Sequence, residues 1–413
     1  MLPHLCLQWL LPLPGMTPHN LPYEDQANLT NHLFMWVCEI GESAYNGEQL
    51  PRHGSIIWLD STAEFGILPA RNYQEVLTYE DVEDRLDTKG FEKNIAVDKE
   101  SGFINCIKCP IRSGHVVVPG RGGWAGQATR GPEFESTWAL GPNLGIMDYG
   151  HIIAANKECN EYGIDTISTG GAIGFAMECY QRGLLDSSRT LEWNNPDAVL
   201  DLIGKIARRD DWLGDLLADG VRAASEKIGK GSDKFALHVK GLEVPAYDPR
   251  GVWGMALTYA TACRGACHLK SWTVAAEFKD YDPVSTEGKA ALVKSIQDLR
   301  SVLDSLIVYF FAGRAITKDW VVKLVNATTG FGWKDEDVDK CGAKIYNLER
   351  LLAVREGITG RDDTLPYRIL EEGLNGGRSN GTRIGKENLQ KMLQGYYRLR
   401  GWDENGVPTE SVP

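Results

Sequence analysis

At 413 residues, with 43% apolar and 24% charged side chains, the chain is long enough for two domains and has the composition of a folded protein. Acidic residues outnumber basic ones, 56 to 44, and the formal charge of -12 argues against a general binder of nucleic acid or of an anionic membrane. No apolar run reaches the roughly 18–20 residues of a membrane span. The longest candidate, Leu306 to Ala312, falls far short. Nine dispersed cysteines predict free thiols in a reducing, cytoplasmic setting, as core residues or metal ligands.

Met1 to Met16 is apolar, carries three prolines and lacks the basic flank and small-residue cleavage site of a secretory signal. Residues 1–22 are therefore expected to be irregular, from a mis-set start or as the remnant of a longer reading frame. Tyr23–Ser43 has helical spacing. Ser55–Asn72, which ends in LPARN, reads as an extended loop, and Tyr79–Lys93 as a charged helix. Gly102–Ile111 carries Cys106 and Cys109, and Pro119–Gly126 is glycine-rich and irregular. Helical periodicity then dominates, over Tyr149–Glu161, Gly171–Arg182, a helix started by Pro196, and Leu213–Ile228. Lys240–Pro249 is short and extended, and is the best place for a crossing between two domains, 23–238 and 239–413. Further helices are predicted over Gly254–Cys263, Thr286–Phe311, Asp335–Glu356 and Lys386–Arg400. The whole reads as a mainly α protein with short strands or extended segments around its loops.

Four groups of residues carry chemistry. Cys106 and Cys109 have the spacing of a chelate loop for a metal or for cluster iron, although a lone pair serves equally as two buried structural thiols. Glu133 and Glu135 flank Phe134. In an extended segment both carboxylates point the same way, either as a general base beside a reacting water or as a solvated acidic turn. His268 follows Arg264-Gly265-Ala266-Cys267, where small residues permit close backbone approach. A histidine there either hydrogen-bonds a reacting carbonyl oxygen or is a satisfied core residue. Asn160 to Asp165 and Asp304 to Tyr309 share a spacing, and each could end a helix with polar groups aimed at the edge of a heteroaromatic ligand.

In order, these pieces resemble the tungsten-pterin aldehyde:ferredoxin oxidoreductase family, in its C-terminal two-thirds. The resemblance runs from about residue 55 to the end. It is carried by GILPARN at 66–72, the Cys106/Cys109 loop, GPEFES at 131–136, ALG at 139–141, NEYGIDTIS at 160–168 and AMECYQRG at 176–183. It continues through VKGLEVPAYDPRG at 239–251, RGACHL at 264–269, NLER at 347–350, LPYR at 365–368 and YYRLRGWDENGVPT at 396–409.

The resemblance implies two packed helical domains like domains 2 and 3 of that family, covered by a β-rich N-terminal domain. It implies a tungsten (or molybdenum) ion held by two pterins, with a [4Fe–4S] cluster nearby as electron outlet. Asn160, Gly163, Ile164 and Asp165 would line one pterin, and Asp304 and Val308 the other. Glu135 and His268 would stand near the metal, and Cys106 and Cys109 would be cluster ligands. The implied reaction oxidises a small aldehyde to a carboxylic acid and passes electrons to a ferredoxin-type acceptor. A homo-oligomer is plausible by the same resemblance.

The sequence also departs from the pattern. Ser113 stands at the third cluster cysteine and Tyr309 at the fourth, Ile307 at a glycine and Asn160 at an aspartate. The counterpart of the β-rich domain is not among these residues. The alternatives are thus a truncated or non-catalytic family member that keeps the scaffold without the cluster, or a subunit that needs a separate N-terminal chain.

Overall fold

Apolar periodicity near 3.6 residues becomes helix along most of the chain in the computed structural model, which describes residues 23–42, 44–95, 109, 111–120, 122–186, 190–314 and 316–409. Cys106 and the apolar stretch Met1 to Met16 lie outside the described residues. The architecture is mainly α. Among the described residues the strands form three antiparallel pairs, Leu68–Ala70 with Glu75–Leu77, Val116–Val117 with Thr129–Arg130, and His238–Val239 with Leu242–Glu243. No helix among them is long and apolar enough to cross a membrane.

Helices form close to where their spacing places them at Tyr149–Tyr162, Pro196–Arg208, Asp335–Arg355 and Lys386–Arg400, while the one expected over 171–182 starts earlier, as Thr166–Gln181, and is buried on most sides. Elsewhere the local chemistry differs from expectation. Residues 55–72 are not an extended loop, because Leu59, Thr62 and Ala63 bury one face of the helix Ile57–Phe65, which Gly66 ends at φ +68°. Only Leu68–Ala70 is extended. The expected helix over 79–93 is two short ones, Tyr79–Val82 and Thr88–Glu92, separated at Asp84 by a positive φ. The stretch 213–228 divides into Asp211–Leu217 and Gly220–Ile228 at Gly220, whose φ is +83°. The helix expected over 286–311 ends at Ser305. Residues 238–243 form a hairpin whose turn holds Lys240 and Gly241 at positive φ.

Packing joins distant parts of the chain. The largest apolar core takes Leu59, Phe91, Trp138 and Ile152 from one half and Met255, Tyr259, Tyr396 and Trp402 from the other. A second core centres on Ile173, Phe175, Leu202 and Phe235, and a third on Val302, Trp320 and Val338. Buried ion pairs tie these layers together. Arg368 makes two bonds to Glu178, at 2.6 and 2.7 Å, and Glu178 also accepts from Asn72. Arg350 grips Asp363 through two bonds at 2.7 and 2.9 Å, and Lys240 reaches the same carboxylate at 2.9 Å.

Candidate active site

Gly131-Pro132 leads into the helix Phe134–Leu140, and that helix sets the two glutamates apart. Glu133 is the extended N-cap residue and Glu135 lies in the first helical turn, so the segment is not a continuous strand and the expectation that both carboxylates point the same way fails. Glu133, at the N-cap, accepts from Ser55 Oγ and pairs with Arg130 at 3.2 Å. Glu135 turns inward. Its Oε2 accepts the Ala246 N–H at 2.9 Å, while Oε1 is buried without a hydrogen-bond partner and lies 3.6 Å from His268 Nδ1.

His268 is delivered by the loop after the helix Trp253–Thr261. Gly265 there has φ +107°, and a Cβ would lie 2.5 Å from the Val239 carbonyl oxygen, so only glycine permits the loop to close on the 238–243 hairpin. Burial, reinforced by Arg264, pushes the His268 imidazolium down to about 3. Burial also pushes the Glu135 carboxyl up to about 8; the Ala246 N–H opposes this and the charge of Asp165 adds to it. At neutral pH the imidazole is therefore neutral, and the carboxyl sits close to its own titration point. Proton exchange at the free oxygen is accessible there.

The two polar segments with matched spacing are both helix ends of one design. Gly163 N–H bonds to Asn160 O and Ile164 N–H to Cys159 O, at 3.3 and 3.0 Å. In the second segment Ile307 N–H bonds to Asp304 O and Val308 N–H to Leu303 O, at 3.0 and 2.9 Å. Both ends turn through a left-handed residue, Gly163 at φ +69° and Ile307 at φ +58°. Asp165 caps the next helix by accepting from Ser168 N–H at 2.7 Å, and Asp304 pairs with Arg300 along its own helix. Asn160, Gly163, Asp165 and Asp304 are exposed, whereas Ile164 and Val308 are half-buried.

Ile307 is β-branched in a conformation that suits glycine, and the residue is 63% exposed. Ile307→Gly is therefore expected to raise stability by about 1 kcal/mol through relief of that strain. A urea-unfolding midpoint that stays put or falls would show the turn to be unstrained.

Contacts link both helix ends to the acid–imidazole pair. Ser136 Oγ meets Thr166 Oγ1 at 2.7 Å beside the first end. From His268 the rings of Tyr247 and Trp272 follow at 5.8 and 6.1 Å, and Arg314 lies 4.5 Å over Trp272 and 4.7 Å over Trp58. Arg314 stands just beyond the second end, where Tyr309 Oη is 3.1 Å from Ser113 Oγ. Cys109 and Val308 pack against the same small apolar group of Ile40, Leu50, Ile111 and Ala312. Tyr247, Trp272, Trp58 and Arg314 were not among the residues expected from sequence. Tyr247 lies inside VPAYDP and Trp272 four residues after His268, which are the signals that could have found them.

The side chains fit a metal–pterin group at the acid–imidazole pair and the two exposed helix ends, because a buried carboxylate oxygen is uncommitted there. They do not fit a four-thiolate iron–sulfur cluster. The loop carries two cysteines, Cys106 and Cys109, where a cube takes four thiolates, and Ser113 Oγ and Tyr309 Oη lie within hydrogen-bond distance of each other.

Comparison with known proteins addresses the family and the fold. The family described as "Aldehyde ferredoxin oxidoreductase, domains 2 & 3" matches residues 36–412. The tungsten-containing aldehyde ferredoxin oxidoreductase of Thermococcus kodakarensis is 38% identical over 89% of this chain, and that of Pyrococcus furiosus 37% over 89%. The chain spans about 60% of the length of both. An aliphatic sulfonate oxidoreductase, WOR-like subunit, of Pyrococcus furiosus is 30% identical over 83% of the chain and 54% of its own length. The active site complex BamBC of benzoyl coenzyme A reductase shares the fold with TM-score 0.71 at 17% identity, over 94% of this chain and 63% of that one. On this evidence the chain belongs to the aldehyde ferredoxin oxidoreductase family and corresponds to its domains 2 and 3.

Proposed function

We propose that this chain forms the helical part of an oxidoreductase that converts a small aldehyde and water to a carboxylic acid, releasing two electrons and two protons. A tungsten or molybdenum bis-pterin, when bound, supplies the two-electron redox chemistry that side chains lack. Asn160, Gly163, Ile164 and Asp165 would hold one pterin, and Asp304 and Val308 the other, at the twin helix ends. Glu135 takes a proton from the attacking water at its free Oε1, and the neutral His268 donates an N–H to the aldehyde oxygen as charge develops there. A ferredoxin-type protein is the electron acceptor, and the setting is cytoplasmic, in keeping with the free thiols of all seven described cysteines. The exposed Tyr162, Leu269 and Ile307 fit a partner that covers the site, either a separate chain carrying the β-rich domain or another copy in a homo-oligomer.

One observation carries the reading: an uncommitted buried carboxylate oxygen lies 3.6 Å from a neutral imidazole. The test is anaerobic expression of the full chain with tungstate, followed by metal and pterin analysis and a dye-reduction assay with short aldehydes. Stoichiometric tungsten and pterin with aldehyde-dependent dye reduction is the expected result. A chain that retains neither metal nor pterin overturns it.

A further inference from the structure

The loop at Cys109 and the turn at Tyr309 meet where the resemblance places an iron–sulfur cluster, but the side chains there are already committed. Ser113 Oγ and Tyr309 Oη lie 3.1 Å apart, within hydrogen-bond distance. Ligands to separate corners of a cube must each turn a lone pair toward their own iron, with the cube between them, and two such groups cannot bond to each other. The Tyr309 ring packs edge-on against Phe311 at 5.4 Å, which sets the phenol across the gap between loop and turn. Cys109 faces apolar side chains, Ile40, Leu50, Ile111 and Ala312, and behaves as a small hydrophobic residue. Even with Cys106, the loop offers two thiolates where a cube takes four.

We infer that this locus is a cluster site converted into a hydrogen-bonded clasp: the chain carries no four-thiolate iron–sulfur cube, and the Ser113–Tyr309 bond fastens the 111–115 loop to the turn after the helix Lys289–Ser305. The inference concerns the locus alone and does not depend on aldehyde oxidation.

Iron and acid-labile sulfide are measured in the full chain after anaerobic purification and after reconstitution with ferrous iron and sulfide. The dithionite-reduced protein is examined by electron paramagnetic resonance. No bound iron and no cluster signal is expected from the natural chain. Four irons and four sulfides per chain overturn the inference. The double variant Ser113→Cys/Tyr309→Cys, treated identically, is expected to gain a cluster with its broad visible absorption. If it takes up no more iron than the natural chain, these two side chains are not what separates the chain from a cluster protein, and the inference falls. Tyr309→Phe, which removes only the hydroxyl, reads out the clasp: amide exchange at 111–114 is expected to quicken severalfold. Unchanged exchange there removes the clasp.

Discussion

Glu135→Gln is expected to lower aldehyde turnover by about 100- to 10,000-fold while leaving the protein folded, since glutamine keeps the shape of the protonated acid but cannot accept a proton. The pH dependence identifies the group. The Glu135 carboxyl titrates near 8, so kcat/KM is expected to rise with pH through about 8, and that limb should vanish in the variant. Stability moves the opposite way. A carboxyl whose folded value lies above its unfolded one binds more protons in the native state, so its contribution is full below about pH 4.5 and is lost as pH rises through about 8. His268 opposes this in a lower window. Its folded value, near 3, lies below the ordinary one near 6.5, so its contribution is present above pH 6.5 and is lost as pH falls toward 3. Urea midpoints from pH 6.5 to 9, above the His268 window, should therefore decline in the natural chain and flatten in Glu135→Gln. Parallel curves, or a variant with ordinary turnover, would take Glu135 out of the site. His268→Ala should depress turnover while preserving the high-pH limb.

Asp363→Ala is expected to cost about 3–5 kcal/mol of stability, a large share of the roughly 5–15 kcal/mol that holds a domain together. Asp363 is fully buried and takes two bonds from Arg350, one contact from Lys240 and the hydroxyl of Tyr397. Its removal leaves two cations facing one another. Lys240, whose ammonium burial already pushes downward, can shed its proton, but a guanidinium cannot. Lys240→Met leaves Asp363 in the grip of Arg350 and should cost much less. A loss below about 1 kcal/mol in Asp363→Ala, read from denaturant unfolding, would show that the pairing carries little. The site feels this network because Lys240 also donates to the Ala260 carbonyl, at the end of the helix that feeds the His268 loop.

Sequence carried most of the helical framework, for a physical reason. Lys386–Arg400 and Asp335–Arg355 have one apolar stripe and clear polar faces, so period and burial agree. Ile57–Phe65 has apolar residues around much of its surface and LPARN after it, so the turn residues outweighed a period that was present but faint. Glu133 and Glu135 failed in the same way: their meaning changed once the residue between them became the first of a helix rather than part of a strand. RGACH and the paired helix ends were legible because close approach and chain reversal demand particular residues locally. The stack of Trp58, Trp272 and Arg314 was not, since its members come from three separate segments and only tertiary packing brings them together.

Because the central core draws on helices from both halves of the chain, including Trp138 and Ile152 on one side and Tyr259 and Tyr396 on the other, the halves cannot open like a clam shell without tearing apolar surface into water. Under the proposed function, a ligand would therefore have to reach Glu135 and His268 through movement of loops and side chains, without the two halves parting.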